Sequence, residues 1–160
     1  MPRSSLPPVG FRFDLKFYDS KTKAPYIESD GPDASFQSVS GISVEFEVQN
    51  VKEGNSPAVP KAPMKPIFPD LILTRGILLE SKILSWVFTL ISDAKMVVTP
   101  LDLELILKND LGEPLILFKF FKTWPRKWSV SDFNAMESSL VIETLELAYE
   151  YFEPKIVKPS

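Results

Sequence analysis

Residues 11–18, FRFDLKFY, alternate apolar and polar side chains without a break. Phe11, Phe13, Leu15 and Phe17 fall on one face; Arg12, Asp14 and Lys16 fall on the other. That period of two marks a strand with one buried face. The pattern returns in GISVEFEVQ at 41–49, where Ile42, Val44, Phe46 and Val48 are expected to face inward and Ser43, Glu45, Glu47 and Gln49 outward. It returns again in LDLELILKN at 101–109, where Leu101, Leu103, Leu105 and Leu107 share a face. A chain built from such segments must pair them edge to edge, so a mainly β fold is expected.

The remaining segments fill in the architecture. LILTRG at 71–76 reads as a short strand ended by Gly76. ESKILSWVFTLIS then changes period: Leu79, Ile83, Trp86 or Val87, and Leu90 fall on one helical face, which predicts a helix over about 80–92. DLG at 110–112 is a turn signal, and EPLILFKFFK after it is the second arm of a hairpin. In 138–152, Val141, Leu145, Leu147, Tyr149 and Tyr151 fit a strand, while Leu140, Thr144, Ala148 and Phe152 fit a helix; β-branched and aromatic content favours the strand. Residues 19–35 read as a polar loop. Pro57, Pro60, Pro63, Pro66 and Pro69 exclude a helix or central strand from 50–69, which reads as a long Pro-rich loop. The expected fold is α+β but mainly β: a β-sandwich or β-barrel-like domain with one flanking helix. Residues 11–153 form the single domain, 1–10 a flexible N-terminal segment and 154–160 a C-terminal tail.

Composition narrows the function. The 160 residues include no Cys and no His, which removes disulfides, thiolate metal sites, Cys nucleophiles and the usual general base. No catalytic, cofactor-binding or metal-binding residue is expected, and an enzyme is not the reading. A net charge of −3 disfavours binding phosphate backbones through bulk charge. The longest apolar-rich run, Ile83–Ile91, falls well short of the ~20 residues a membrane span needs. With no apolar stretch after Arg3 there is no signal peptide to read, so cytoplasmic folding is expected.

FFKTWPRKWSV at 120–130 raises the sharpest question of function. Lys119, Lys122, Arg126 and Lys127 precede a stretch, 129–154, whose charges are all acidic: Asp132, Glu137, Glu143, Glu146, Glu150 and Glu153. Three readings compete: a stacking surface for single-stranded nucleic acid, a glycan platform built on Trp124 and Trp128, and a strand end with both Trp in the core. Segregated charge also suits head-to-tail self-association, with Arg126 and Lys127 at a subunit contact. Of the carboxylate pairs, Glu45/Glu47 and Glu143/Glu146 read as solvated faces. KEGN at 52–55 has one Gly where a phosphate loop needs more. The evenly spaced prolines of 57–66 favour an extended, polyproline-like arm that orders on a neighbour, with Val51, Val59, Met64 and Ile67 as apolar anchors.

Taken in order, these pieces resemble the tail tube proteins of contractile phages and of phage-tail-like contractile injection systems. The resemblance is carried by PPVGFRFDLKF, by FQSVSGISVEFEVQNVKEGN, by LILTRGILLESKILSW, and by FKTWPRKWSVSDFNAMESSLVIETLELAYEYFE. It implies a protomer of stacked hexameric rings forming a hollow tube, with sheath, baseplate and spike proteins as partners and a cargo effector or DNA in the lumen. It implies neither a cofactor nor membrane insertion by this chain. Val51, Lys52, Glu53, Asn55, Val59, Met64 and Ile67 would then lie on the arm at a subunit interface. Arg75, Gly76 and Trp86 would shape the strand-to-helix corner. Trp124 and Pro125, with Trp128, would fix the turn before the final strand. Ser43, Glu45, Glu47 and Gln49 are candidates to line the lumen, where an acidic wall repels acidic cargo. Type VI secretion tubes share the fold implied. Residues 20–34 look longer than the tight turn expected there.

Overall fold

The computed structural model describes residues 11–27, 32–50, 61–93, 95 and 97–157. The elements among them are β1 (Arg12–Asp19), β2 (Pro25–Ile27), a 3-10 turn (Pro32–Ala34), β3 (Ser38–Ser40), β4 (Glu45–Asn50), β5 (Lys61–Ile67), β6 (Leu71–Gly76), α1 (Lys82–Ser92), β7 (Leu101–Lys108), β8 (Pro114–Val130), β9 (Ile142–Ala148) and β10 (Tyr151–Ile156). Eight strands form one antiparallel sheet in the order β2-β1-β7-β8-β9-β6-β3, with β10 also on β8. The path stays open rather than closing into a barrel. β4 and β5 pair only with each other, as a separate two-stranded ribbon.

The long strand β8 organises the sheet. Its first part lies between β7 and β10; its last part pairs with β9. The two halves of the sheet close on each other over one core. Leu15, Phe17, Leu101, Leu103, Leu105 and Phe120 come from one half, and Leu71, Leu73, Leu145 and Leu147 from the other. Helix α1 adds Ile83, Trp86 and Val87. The inward faces expected for the first strand and for the Leu101 series hold for Phe13, Leu15, Phe17, Leu101, Leu103 and Leu105, whereas Phe11 lies ahead of β1 and is 56% exposed and Leu107 is only half-buried. Ser81 starts the helix by accepting the Leu84 N–H at 3.1 Å. Leu79 lies before that cap and is 92% exposed, so it does not share the buried helical face.

A bulge sets the bend in β8. Leu101 faces Thr123 and Leu103 faces Phe120, so Phe121 and Lys122 together oppose Asp102 alone. Lys122 takes φ 53° there. The buried Asp102 carboxylate accepts the Lys122 N–H at 3.0 Å, the Ser20 hydroxyl at 2.7 Å and the Lys23 ammonium at 2.7 Å. Burial pushes this carboxyl up, but the hydrogen bonds from Lys23, Lys122 and Ser20 outweigh it and hold the pKa below the usual value. Its stabilising contribution is therefore present above the ordinary aspartate range and is lost as pH falls through the depressed folded pKa. Asp102→Ala should cost about 1–3 kcal/mol by orphaning those donors, and should reduce the acid sensitivity of unfolding. Denaturant titrations of both proteins across the acid range check this; an unchanged midpoint would contradict it.

Several expectations need correcting. Trp124 and Pro125 are not a turn: β8 runs through them, and the bend falls at Lys122. The ambiguous last segment is two strands, β9 and β10, and Pro154–Ile156 belong to the sheet rather than to a tail. Residues 19–35 are more than a polar loop. They carry β2 and the 3-10 turn, and they bury Ile27 and Ala34 in the core. Residues 1–10 lie outside the described residues.

Candidate functional site

The ribbon departs most from the sequence reading. Residues 61–67, expected as part of a loop or polyproline-like arm, form β5 and pair with β4. Phe46 faces Pro66 and Val48 faces Pro63. The prolines are tolerated because each strand of a two-stranded ribbon has an outer edge with no ladder to break. The alternation at 41–49 is real, but beyond Ile42, which packs on the core, it does not point inward. Phe46 is 52% exposed, Val48 57% and Met64 49%, and Val44 and Ile67 are exposed as well. Phe46, Val48, Pro63 and Pro66 thus share an apolar face that nothing among the described residues covers. Glu45, Glu47 and Gln49 take the opposite face. Of the expected arm residues, Met64 and Ile67 are on the ribbon, while Val51, Lys52, Glu53, Asn55 and Val59 lie outside the described residues.

The ribbon's base is pinned. Gly41 adopts φ 87°, and a Cβ there would run into the Asp70 carbonyl oxygen. Asp70 in turn pairs with Arg126 of β8 at 2.5 Å. This gives physical content to the aromatic-x-x-Val-x-Gly series at 36–41. Phe36 is buried, Val39 packs on the core, and Gly41 permits the close approach where the chain leaves the sheet.

The corner residues behave differently from one another. Arg75 is fully buried. It donates to the Asp33 backbone carbonyl at 2.6 Å and to the Ser81 hydroxyl at 2.9 Å, and lies 3.0 Å from the Asp33 carboxylate. Its guanidinium also faces Glu143 at 3.5 Å and stacks over Phe36 at 4.5 Å. Asp33 accepts from the Ser81 hydroxyl and from the Lys82 N–H at 2.6 Å, which anchors the helix start from a distant segment. Glu143, expected on a solvated face, is buried opposite Arg75 across the β6–β9 pair. Burial pushes its carboxyl pKa up, against the pull of the Arg75 charge. Gly76 has no positive φ; it is extended, and its missing Cβ leaves room for Leu140. Trp86 sits within the helix, donating its indole N–H to the Thr99 carbonyl at 2.8 Å.

The two Trp of TWPRKW point to opposite faces. Pro125 faces Leu147 and Lys127 faces Glu146, leaving Arg126 as an extra residue in β8. Trp124 therefore lies opposite Ala148, 39% exposed, while Trp128 lies opposite the core residue Leu145 and meets Phe88 edge-on at 5.4 Å. No two-ring glycan platform exists on that geometry. Truncating Trp128 to Ala should cost about 3 kcal/mol, and Trp124→Ala distinctly less, as read by urea unfolding; equal losses would contradict the opposed facing.

The charge segregation along the chain is also resolved. Lys119 faces Glu153, Lys122 pairs with Glu150 at 3.4 Å, and Lys127 faces Glu146. The basic stretch and the acidic stretch are antiparallel neighbours within one protomer. Lys16, Glu104, Lys119 and Glu153 continue this as one alternating row across four strands. Among the described residues, no helix is long and apolar enough to cross a membrane.

Comparison with known proteins places this architecture. A chain of the baseplate of the anti-feeding prophage superposes with TM-score 0.80 at 26% identity, covering 96% of this chain and 99% of that one. A chain of the sheath–tube complex of an extracellular contractile injection system matches with TM-score 0.75 at 19% identity, over 96% and 94% of the two chains. A type six secretion system protein shares the fold at TM-score 0.51 and 16% identity, over 88% and 82%. No curated protein matches the chain in sequence. The model of the T4-like virus tail tube protein gp19 family matches residues 9–153. The chain belongs to that tail tube family, whose members are structural tube proteins rather than enzymes.

Proposed function

We propose that the chain is the protomer of the inner tube of a contractile phage tail or phage-tail-like injection system, and that six copies close into rings that stack around a channel for cargo or DNA. The observation that carries this reading is the β4–β5 ribbon. It projects an apolar face of Phe46, Val48, Pro63 and Pro66 that has no cover among the described residues. An exposed apolar face rimmed by charge is a contact surface. Its partner is a neighbouring copy, on which the ribbon lies as an arm. With that face on a neighbour, Ser43, Glu45, Glu47 and Gln49 turn away from it and are free to line the lumen. Sheath, baseplate and spike proteins are the partners of such a tube within the same particle. Native mass spectrometry of the purified chain tests the reading. Six-fold oligomers and their multiples are expected; monomer at all concentrations would overturn it.

A further inference from the structure

The ribbon is not the only uncovered apolar surface. The loop 131–141 between β8 and β9 exposes Phe133 (76%) and Met136 (93%). The loop has a defined shape: the Asn134 side chain accepts the Met136 N–H at 3.0 Å, and its carbonyl accepts the Glu137 N–H at 3.2 Å. Asp132 and Glu137 flank the two apolar side chains. Among the described residues neither makes an ion pair.

A groove of opposite character lies elsewhere on the protomer. It runs between the last turn of α1 and β8, and is lined by Val87, Leu90, Ile91, Pro125, Lys127 and Trp128. Arg126 and Asp93 line it as well. Arg126 is held by Asp70, whereas Lys127, though it faces Glu146 across the β8–β9 pair, makes no ion pair among the described residues and is the cation available to an incoming acid. Groove and loop are separate patches: the groove borders residues 87–93 and 125–128, whereas the loop leaves β8 at Ser131 and is closed at its base by the Ser131 N–H on the Ile142 carbonyl.

We infer that the 131–141 loop of one copy docks in the α1–β8 groove of a second copy, with Phe133 and Met136 on Leu90 and Ile91 and with Asp132 or Glu137 against Lys127. The two surfaces match in both terms: apolar on apolar, and acid on base. A contact between two different patches is head-to-tail, and such contacts propagate into rings or filaments rather than stopping at dimers. This deepens the tube reading, on which it rests, by adding a second subunit contact distinct from the ribbon.

The chain has no Cys, so engineered thiols report cleanly. Met136→Cys and Leu90→Cys proteins are mixed, assembled and oxidised, with Leu111→Cys on the distant 109–113 turn replacing Leu90→Cys as control. A disulfide-linked dimer should form at least tenfold more with Leu90→Cys than with the control. Separately, Phe133→Ser/Met136→Ser should lower the assembled fraction at least tenfold while leaving the unfolding midpoint unchanged. Cross-linking at control level, or normal assembly by the double-serine protein, would overturn this contact; normal rings in those same samples would leave the tube reading standing. Wild-type protein that stays monomeric would overturn both.

Discussion

Arg75→Met should destabilise the fold by about 3–5 kcal/mol, the cost of leaving buried charge unpaired. The guanidinium is the shared partner of two carboxylates, Asp33 and Glu143, on segments far apart in the chain. Methionine keeps much of the apolar stem but none of the five donors. Asp33 would retain the Ser81 and Lys82 bonds, whereas Glu143 would lose the charge it faces inside the sheet. With total stabilities of about 5–15 kcal/mol, such a loss would bring many single domains near unfolding. Lysine should rescue poorly, because a point charge cannot reach Ser81, the Asp33 carbonyl and Glu143 together. Arg75→Met/Glu143→Leu should recover part of the loss. Urea unfolding of the four proteins checks this, and a single-mutant loss under about 1 kcal/mol would contradict the role of the cluster.

The same cluster sets a pH signature. Glu143 binds its proton more tightly folded than unfolded. Its contribution is therefore greatest below the ordinary glutamate range and is lost as pH rises through the raised folded pKa. This is opposite in sign to Asp102. Glu143→Gln should flatten the first dependence and leave the second.

The second large effect concerns assembly rather than folding. Phe46→Ser/Val48→Ser should abolish assembly with little change in the stability of the protomer. Both side chains are about half exposed on a ribbon that, among the described residues, has no strand partner in the main sheet. Completing the burial of two such side chains on a neighbour is worth about 2–4 kcal/mol per contact, or roughly 30- to 1000-fold in affinity. A ring repeats the contact at every interface, so the loss compounds. Sedimentation should show only protomer, with an unchanged unfolding midpoint. Normal assembly by this protein would remove the ribbon from the interface. A drop in the midpoint would place the ribbon in the protomer's own core.

Much of the fold was legible because one buried face per strand writes a period of two. β1, β7 and β9 show it, and α1 shows its change of period. What stayed hidden depends on contacts between distant segments. β3 is three residues long and gains definition only from β6 beside it. Asp33, Asp102 and Glu143 look like ordinary surface acids in sequence; burial follows from partners 42, 20 and 68 residues away, namely Arg75, Lys122 and Arg75. A glutamate in phase with Leu145 and Leu147 was the available signal for Glu143. The ribbon misled in the other direction. Alternation reports that one face will be covered, and cannot say whether its own chain or another copy provides the cover. The Trp pair failed for a local reason, since one extra residue at Arg126 reverses which face follows.

Electron cryo-microscopy of the assembled protein tests the central claim most directly. The expected image is a stack of six-fold rings around an open channel, with each β4–β5 ribbon lying against a neighbouring copy and the Phe46 and Val48 side chains covered. Particles without a channel, or rings in which the ribbon stands free in solvent, would contradict it.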